Sequence, residues 1–230
     1  MKQRYGLQLY SVRDAMAEDF EGTLKKVADM GYTYVEFAGF FDHTAEEVKA
    51  LLDKYGLIVC STHSHIDGIK PENIEATIEY HKAIGNTHYI LPSIFMSTKE
   101  KLEESITIIN FAQPILEKAG IKLSFHNHSR EFEITPWGTT VHSELEHRTN
   151  VGFQIDTFWA YNAGLDPIEV IEKYRDRISV IHLKDGIAQD LSDPESKPQG
   201  RSLGLGNAPV EAVRKKAMEL GITMVVESED

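Results

Sequence analysis

The sequence predicts a closed (β/α)8 barrel of eight parallel strands, one domain over residues 1–230, with the final C-terminal helix missing. Three observations predict it. Short segments of alternating apolar character recur eight times, and segments of helical spacing separate them. Gly31, Gly56, Gly85, Gly120 and Gly221 all stand at the same joint, between the end of a helical segment and the next strand. Glycine suits that joint because it accepts the left-handed backbone that ends a helix. The first turn, QLYSVRDAM, contains no glycine, whereas an open doubly wound sheet usually carries a glycine-rich phosphate turn there. Alternation of strand and helix argues for a parallel sheet, and eight repeats argue for its closure.

The elements follow in order. Tyr5 to Tyr10 reads as the first strand, with Gly6, Gln8 and Tyr10 on one face and Leu7 and Leu9 on the other. Phe20, Leu24, Val27 and Ala28 recur at helical spacing before Tyr34 to Phe37, the second strand. Val48, Leu51, Leu52 and Tyr55 make the next helix, and LIVCSTH the third strand. Ile74 and Ile78 mark a helix before THYILP; Leu102, Ile106, Ile109 and Leu116 mark another before KLSFHNH. Pro114 lies inside that helix and is expected to kink it, because proline has no N–H to donate. A short helix around Val141 and Leu145 leads to VGFQID. Asp166-Pro167 opens a helix, with aspartate as cap and proline at the first position. ISVIHLK follows, then a helix through Val210, Val213, Ala217 and Leu220, then ITMVVES. The longest irregular stretch, Asp185 to Ala208, holds Pro194, Pro198, Gly200, Gly204 and Gly206 and reads as a lid or binding loop.

Composition sets limits. Hydrophobic residues make up 41% and charged residues 26%, ordinary for a soluble globular chain. The net charge of −12 repels a nucleic-acid backbone, and no Lys/Arg cluster offsets it. Cys60 is the single cysteine and is expected to be buried and inert. Neither a signal peptide nor a membrane span is visible, so a cytoplasmic location without membrane or nucleic-acid partners is expected.

In such barrels chemistry sits at the C-terminal strand ends. Those ends carry Glu36, His63 and His65, His126 and His128, Asp156, His182 and Lys184, and Glu227. Alternation tests which of them face inward. Val151, Phe153 and Ile155 face the helices, so Gln154 and Asp156 face the interior. Ser179, Ile181 and Leu183 share one face, which leaves His182 and Lys184 on the other. Ile222, Met224 and Val226 face out, so Glu227 faces in. Each of these residues alone has an ordinary structural use: a satisfied histidine, a helix cap, a surface carboxylate. Their convergence from four successive strands points to a divalent metal site of His126, Asp156, His182 and Glu227. Such a ring suits Mn²⁺, Co²⁺, Zn²⁺ or Fe²⁺, with Mg²⁺ also admitted.

GLQLYSVRD, GYTYVEFAGFF, HNHSREFE, QIDTFWAYNAGLDP, VIHLKD and LGLGN, in this order, resemble the sugar phosphate isomerase/epimerase family with its xylose isomerase-like TIM barrel. The resemblance runs from Tyr5 to Glu227. It implies a divalent metal at the ends of strands five to eight, with Asp156, His182 and Glu227 matching the last three ligands. Many members have a glutamate as first ligand; here that position is His126, with His128 as the alternative. The implied activity is isomerisation or epimerisation of a small carbohydrate, by removal of a proton beside a carbonyl through an enediolate. Glu227 is the expected base, with His126, Glu131 or His63 as the second. His63, Lys184, Glu36, His128 and Trp159 are expected around the substrate, and Glu131 and Glu133 over the site or in a solvated loop. Trp159 and Phe158 offer an apolar wall to a sugar ring or pack in the core. Gly204 and Gly206 let a loop approach ligand or simply form turns. Two rival activities remain open: cleavage of a 3-keto glycoside, and sugar binding without turnover. With no residues for an eighth helix, the outward side chains Leu7, Leu9, Ile222, Met224 and Val226 are expected to lack cover, and a homodimer is the expected remedy.

Overall fold

The computed structural model describes residues 5–193 and 195–229. Pro194 and Asp230, both named above, lie outside the described residues. Eight parallel strands close into a barrel: β1 (Tyr5–Gln8), β2 (Tyr34–Ala38), β3 (Ile58–His63), β4 (His88–Leu91), β5 (Lys122–His126), β6 (Gly152–Asp156), β7 (Ile178–Leu183) and β10 (Thr223–Val226). β10 pairs with both β7 and β1 and completes the ring. A small antiparallel pair, β8 (Asp185–Ile187) and β9 (Gln199–Arg201), stands outside it.

The helices are α1 (Arg13–Glu18), α2 (Phe20–Asp29), α3 (Ala45–Tyr55), α4 (Ile74–Ala83), α5 (Lys99–Lys118), α6 (Val141–Arg148), α7 (Thr157–Asn162), α8 (Pro167–Tyr174) and α9 (Val210–Leu220). Their ends follow local chemistry. Thr44 and Glu47 form a reciprocal capping box on α3, and Gly56 ends it at φ +66°. Asp166 caps α8, whose first residue is Pro167. α5 runs through Pro114 as one helix rather than ending there. The outward strand faces and inward helix faces form two apolar clusters, one around Phe125, Phe153 and Ile181, the other around Leu24, Val35 and Phe37.

Four expectations need correction. The first strand ends at Gln8, because the Gln8 side chain accepts the Tyr10 N–H at 3.0 Å and turns the chain into a 3₁₀ helix, Leu9–Val12. Tyr10 therefore leaves the inward face and is 41% exposed. Ser179 does not share the outward face of Ile181. The pairing shifts between Phe153 and Gln154, so Ser179 is an extra residue, and its hydroxyl meets that of Ser124 at 3.1 Å. The excursion after β7 is not irregular throughout. The Asp185 carboxylate accepts the N–H groups of Gly186, Gly204, Gly206 and Ala208 and gathers the stretch around itself.

The fourth correction concerns the missing helix. Among the described residues no helix follows β10, yet Leu7, Leu9, Ile222 and Met224 are all buried. Val213 and Ala217 of α9 share one apolar cluster with Ile222 and Met224; Met16 of α1 and Phe20 and Leu24 of α2 share the other with Leu7 and Leu9. The neighbouring helices supply the cover. What remains is a groove of about 1400 Å³ between α2 and α9, lined by Tyr5, Met30, Tyr34, Leu203, Met218 and Val226 among others. The exposure expected to drive dimerisation is therefore absent at the four buried side chains.

Candidate metal centre

Strand alternation delivers the side chains. β5, β6, β7 and β10 are neighbours in the barrel. Their ends, or the residue just beyond for β10, present His126, Asp156, His182 and Glu227, all buried. One ligand atom from each lies within 4.8 Å of every other. His63, His126 and His182 form a second such group, overlapping the first. His128 belongs to neither group among the described residues.

Asp156 is divided between two tasks. Its Oδ1 caps α7 by accepting the Trp159 N–H at 2.9 Å. Its Oδ2 is buried and accepts no hydrogen bond; His182 Nδ1 and Lys184 Nζ each stand 3.9 Å away. Burial lifts the Asp156 carboxyl to about 6, with Glu227 adding to the rise against Lys184 and His182. A buried carboxylate oxygen lacking a donor is costly unless a cation meets it. Two carboxylates and two imidazoles at this spacing are a donor set that fits a divalent ion.

His182 lies between carboxylates. Nδ1 donates to Glu227 Oε2 at 2.9 Å and Nε2 to Glu36 Oε1 at 2.6 Å. Burial alone would lower its pKa, but Glu36 and Glu227 outweigh burial and hold it at about 10. Burial likewise opposes ionisation of Glu227, and the charges of His182 and Lys184 overcome it, keeping this carboxyl well below the ordinary range. Burial keeps His126 neutral, helped by the neighbouring His182 and His63.

Glu36 is fully buried beneath these groups. Gln8 Nε2, Ser61 Oγ, Gln154 Nε2 and His182 Nε2 all donate to its two oxygens. Despite burial, His63 and His182 bring its carboxyl down to about 2. His63 Nε2 lies 3.1 Å from Glu36 Oε1 and 2.6 Å from Gln154 Oε1.

Lys184 is 1% exposed, its ammonium bonded to Glu229 and 3.4 Å from Glu227 Oε2, with Nζ 5.0 Å from the centre of the Trp159 ring. Burial would discharge it, but Asp156, Glu227 and Glu229 raise its pKa instead. Trp159 is half-buried, whereas Phe158 is core. His128 packs edge-on to His126 with ring centres 4.9 Å apart, and its Nδ1 has no hydrogen-bond partner. Glu131 is buried, accepting the His128 N–H at 2.8 Å, while Glu133 is exposed. Gly204 and Gly206 serve the Asp185 clamp; a Cβ on Gly206 would lie 2.1 Å from Asp185 Oδ1. Alternation places Gln154 inward but does not reveal its bond to Glu36; the same rule finds Ser61, one inward step before His63, and the partners of Ser61 and Gln8 on Glu36 follow only from the structure.

The chain resembles known proteins along most of its length. It is 24% identical over 187 residues to inosose dehydratase of Geobacillus kaustophilus, covering 70% of this chain and 60% of that protein. The chain thus spans less than two thirds of that relative. It is 26% identical over 202 residues to 2-oxo-tetronate isomerase of Haemophilus influenzae, covering 76% of this chain and 77% of that one. Among solved structures, a sugar phosphate isomerase/epimerase from Parabacteroides distasonis superposes with a TM-score of 0.80 at 25% identity, covering all of this chain and 90% of the other. A family model described as xylose isomerase-like TIM barrel matches residues 24–230. With the closed eight-stranded barrel and that match together, the chain belongs to the xylose isomerase-like TIM barrel family.

Proposed function

We propose that this protein is a divalent-metal-dependent isomerase or epimerase of a small carbohydrate, acting by proton removal beside a carbonyl. The observation that carries the reading is the buried convergence of His126, Asp156, His182 and Glu227 within 4.8 Å, with Asp156 Oδ2 lacking a donor. A divalent ion held by these four residues would supply Lewis-acid charge to the substrate's carbonyl oxygen.

The chain's own groups do the rest. Glu227 is ionised and accepts the proton from the carbon beside the carbonyl. Lys184, already among carboxylates at the site, offers its ammonium to a substrate oxygen as charge develops there. The half-buried Trp159 ring walls the sugar's apolar face. The second proton transfer falls to His128. His126 is in the ligand set, His63 Nε2 is engaged with Gln154, and both Glu131 oxygens are engaged by His128 N–H and Arg130. His128 Nδ1 is buried at the site without a hydrogen-bond partner.

A second reading keeps the first proton transfer and then expels an oxygen substituent, as a dehydratase or a 3-keto-glycoside lyase would. The inosose dehydratase relative favours weighing it. The test is incubation of metal-loaded enzyme with candidate keto sugars and keto acids in deuterated water. Deuterium beside the carbonyl of an isomeric product supports the first reading. A product lacking water or an aglycone supports the second. Turnover without wash-in to substrate or product overturns proton exchange with solvent.

A further inference from the structure

Glu36 and Gln154 take no part in the proposed proton transfers, yet they contact three of the site's histidines. An ionised carboxylate only accepts hydrogen bonds. The Gln154 amide must therefore turn its NH₂ toward Glu36 Oε2, 2.6 Å away. That orientation leaves its oxygen facing His63 Nε2 at 2.6 Å and His126 Nδ1 at 3.0 Å. An amide oxygen also only accepts, so both imidazoles must donate to it. A neutral imidazole has one N–H; with that proton on Nδ1, the lone pair of His126 is on Nε2. Glu36 also takes the Nε2–H of His182, so Nδ1 is the atom of that ring facing Glu227 and Asp156. One carboxylate thus sets two rings in opposite senses, His182 directly and His126 through an amide.

The sheet is irregular at these two residues. Register shifts fall between Val35 and Glu36 and between Phe153 and Gln154, and no other strand pair described carries one. Bulges re-aim side chains near functional sites. Here the extra residues are Cys60 of β3 and Ser179 of β7, on the strands that pair with those of Glu36 and Gln154.

We propose that Glu36 and Gln154 are positioning residues that fix the ring tautomer of His126 and the ring orientation of His182 before metal or substrate arrives. This has a consequence for the ligand set. The proton that His63 Nε2 gives to Gln154 removes that nitrogen from coordination and leaves Nδ1 as the nitrogen of a neutral His63 ring that can bind an ion. The metal affinity part rests on the reading of His126 and His182 as ligands; the tautomer part does not.

The test is a long-range ¹H–¹⁵N correlation on the imidazoles of metal-stripped protein at neutral pH, with His126 assigned by comparison with His126→Gln. The wild type should show His126 as the Nδ1–H form. Gln154→Leu removes the acceptor and should give a mixture of forms with the circular dichroism spectrum retained. Its affinity for Zn²⁺, read by competition with a chromophoric chelator, should fall about 10–100-fold, the usual cost of losing an orienting partner. Glu36→Gln frees the Gln154 amide to flip and should also mix the His126 forms. A wild-type His126 in the Nε2–H form overturns the proposal, and needs no variant to fold. So does a Gln154→Leu protein with unchanged tautomers. Should the tautomers shift as expected while the wild type binds no Zn²⁺, the positioning stands and the metal reading falls.

Discussion

Asp156 and Trp159 are joined by a helix cap that uses half of a carboxylate: Oδ1 accepts the Trp159 N–H at 2.9 Å, and Oδ2 stays buried without a donor. The two oxygens can be tested apart. Asp156→Asn retains a cap acceptor but removes the charge. Metal affinity should fall at least about 100-fold, comparable to or beyond the loss of an orienting partner. The melting temperature of the metal-stripped protein should hardly move. Asp156→Ala loses the cap as well and should cost about 1 kcal/mol more. Chelator competition and thermal melts in EDTA read both. Unchanged metal affinity in Asp156→Asn would remove this residue from the ligand set.

Glu227→Gln should fold like the wild type and lose turnover by about 10²–10⁴-fold, the usual worth of a positioned base. Deuterium wash-in should fall in parallel. Loss of turnover with wash-in intact would place Glu227 after the proton transfer rather than at it.

His142 is far from this chemistry in its contacts. It stacks between Phe132 and Phe153, with ring centres at 4.6 and 4.4 Å, and neither ring nitrogen has a hydrogen-bond partner. Burial is the main cause that brings its pKa down to about 3, with Lys173 and Arg177 reinforcing it and Glu146 and Glu131 opposing. The unfolded chain therefore binds a proton near pH 6.5 that the folded chain refuses until about pH 3, and stability must fall as pH drops through that window. His142→Phe keeps the ring and removes two unsatisfied nitrogens. It should stabilise the protein by about 1 kcal/mol at pH 7 and by more at pH 5. Melts at both pH values check it; an equal effect at the two would mean that His142 does not titrate differently on folding.

Gly206→Ala tests the clamp on the excursion after β7. A Cβ there would sit 2.1 Å from Asp185 Oδ1 and 2.3 Å from the Gly186 carbonyl. These atoms belong to the hub that holds Gly204 and Ala208, so they cannot retreat alone. The variant should lose about 2 kcal/mol or more of stability and show faster amide exchange at Gly204 and Gly206. Wild-type exchange at both would show that the clamp tolerates the side chain.

Much of this molecule is legible in its sequence because it depends on neighbours along the chain. Gly56 and Gly221 mark helix ends by a backbone preference, and both adopt positive φ. Asp166-Pro167 starts α8 through a local cap, the Asp166 carboxylate accepting the Ile168 N–H. The inward placement of Asp156, His182 and Glu227 follows from the two-residue repeat of a strand. Where the repeat is interrupted, the reading fails: Ser179 turns inward because an extra residue enters β7 opposite β6. α7 went unseen because its cap is Asp156 itself, already assigned to the strand and the site.

By itself, then, the sequence determined the alternation of strand and helix, the helix stops, and, where the two-residue repeat runs unbroken, which side chains face the barrel interior, since local sterics and periodic burial govern all three. Only the tertiary structure decided which of those inward groups touch. Glu36 meets His182 across 146 residues of chain and Gln154 across 118, at distances of 2.6 Å that depend on how the barrel closes. A hydrogen bond changes character over a few tenths of an ångström, while a sequence pattern places a side chain only on a face. The face was readable in advance; the partner, the ring nitrogen it engages and the oxygen of Asp156 left without a donor were settled by how the eight strands close.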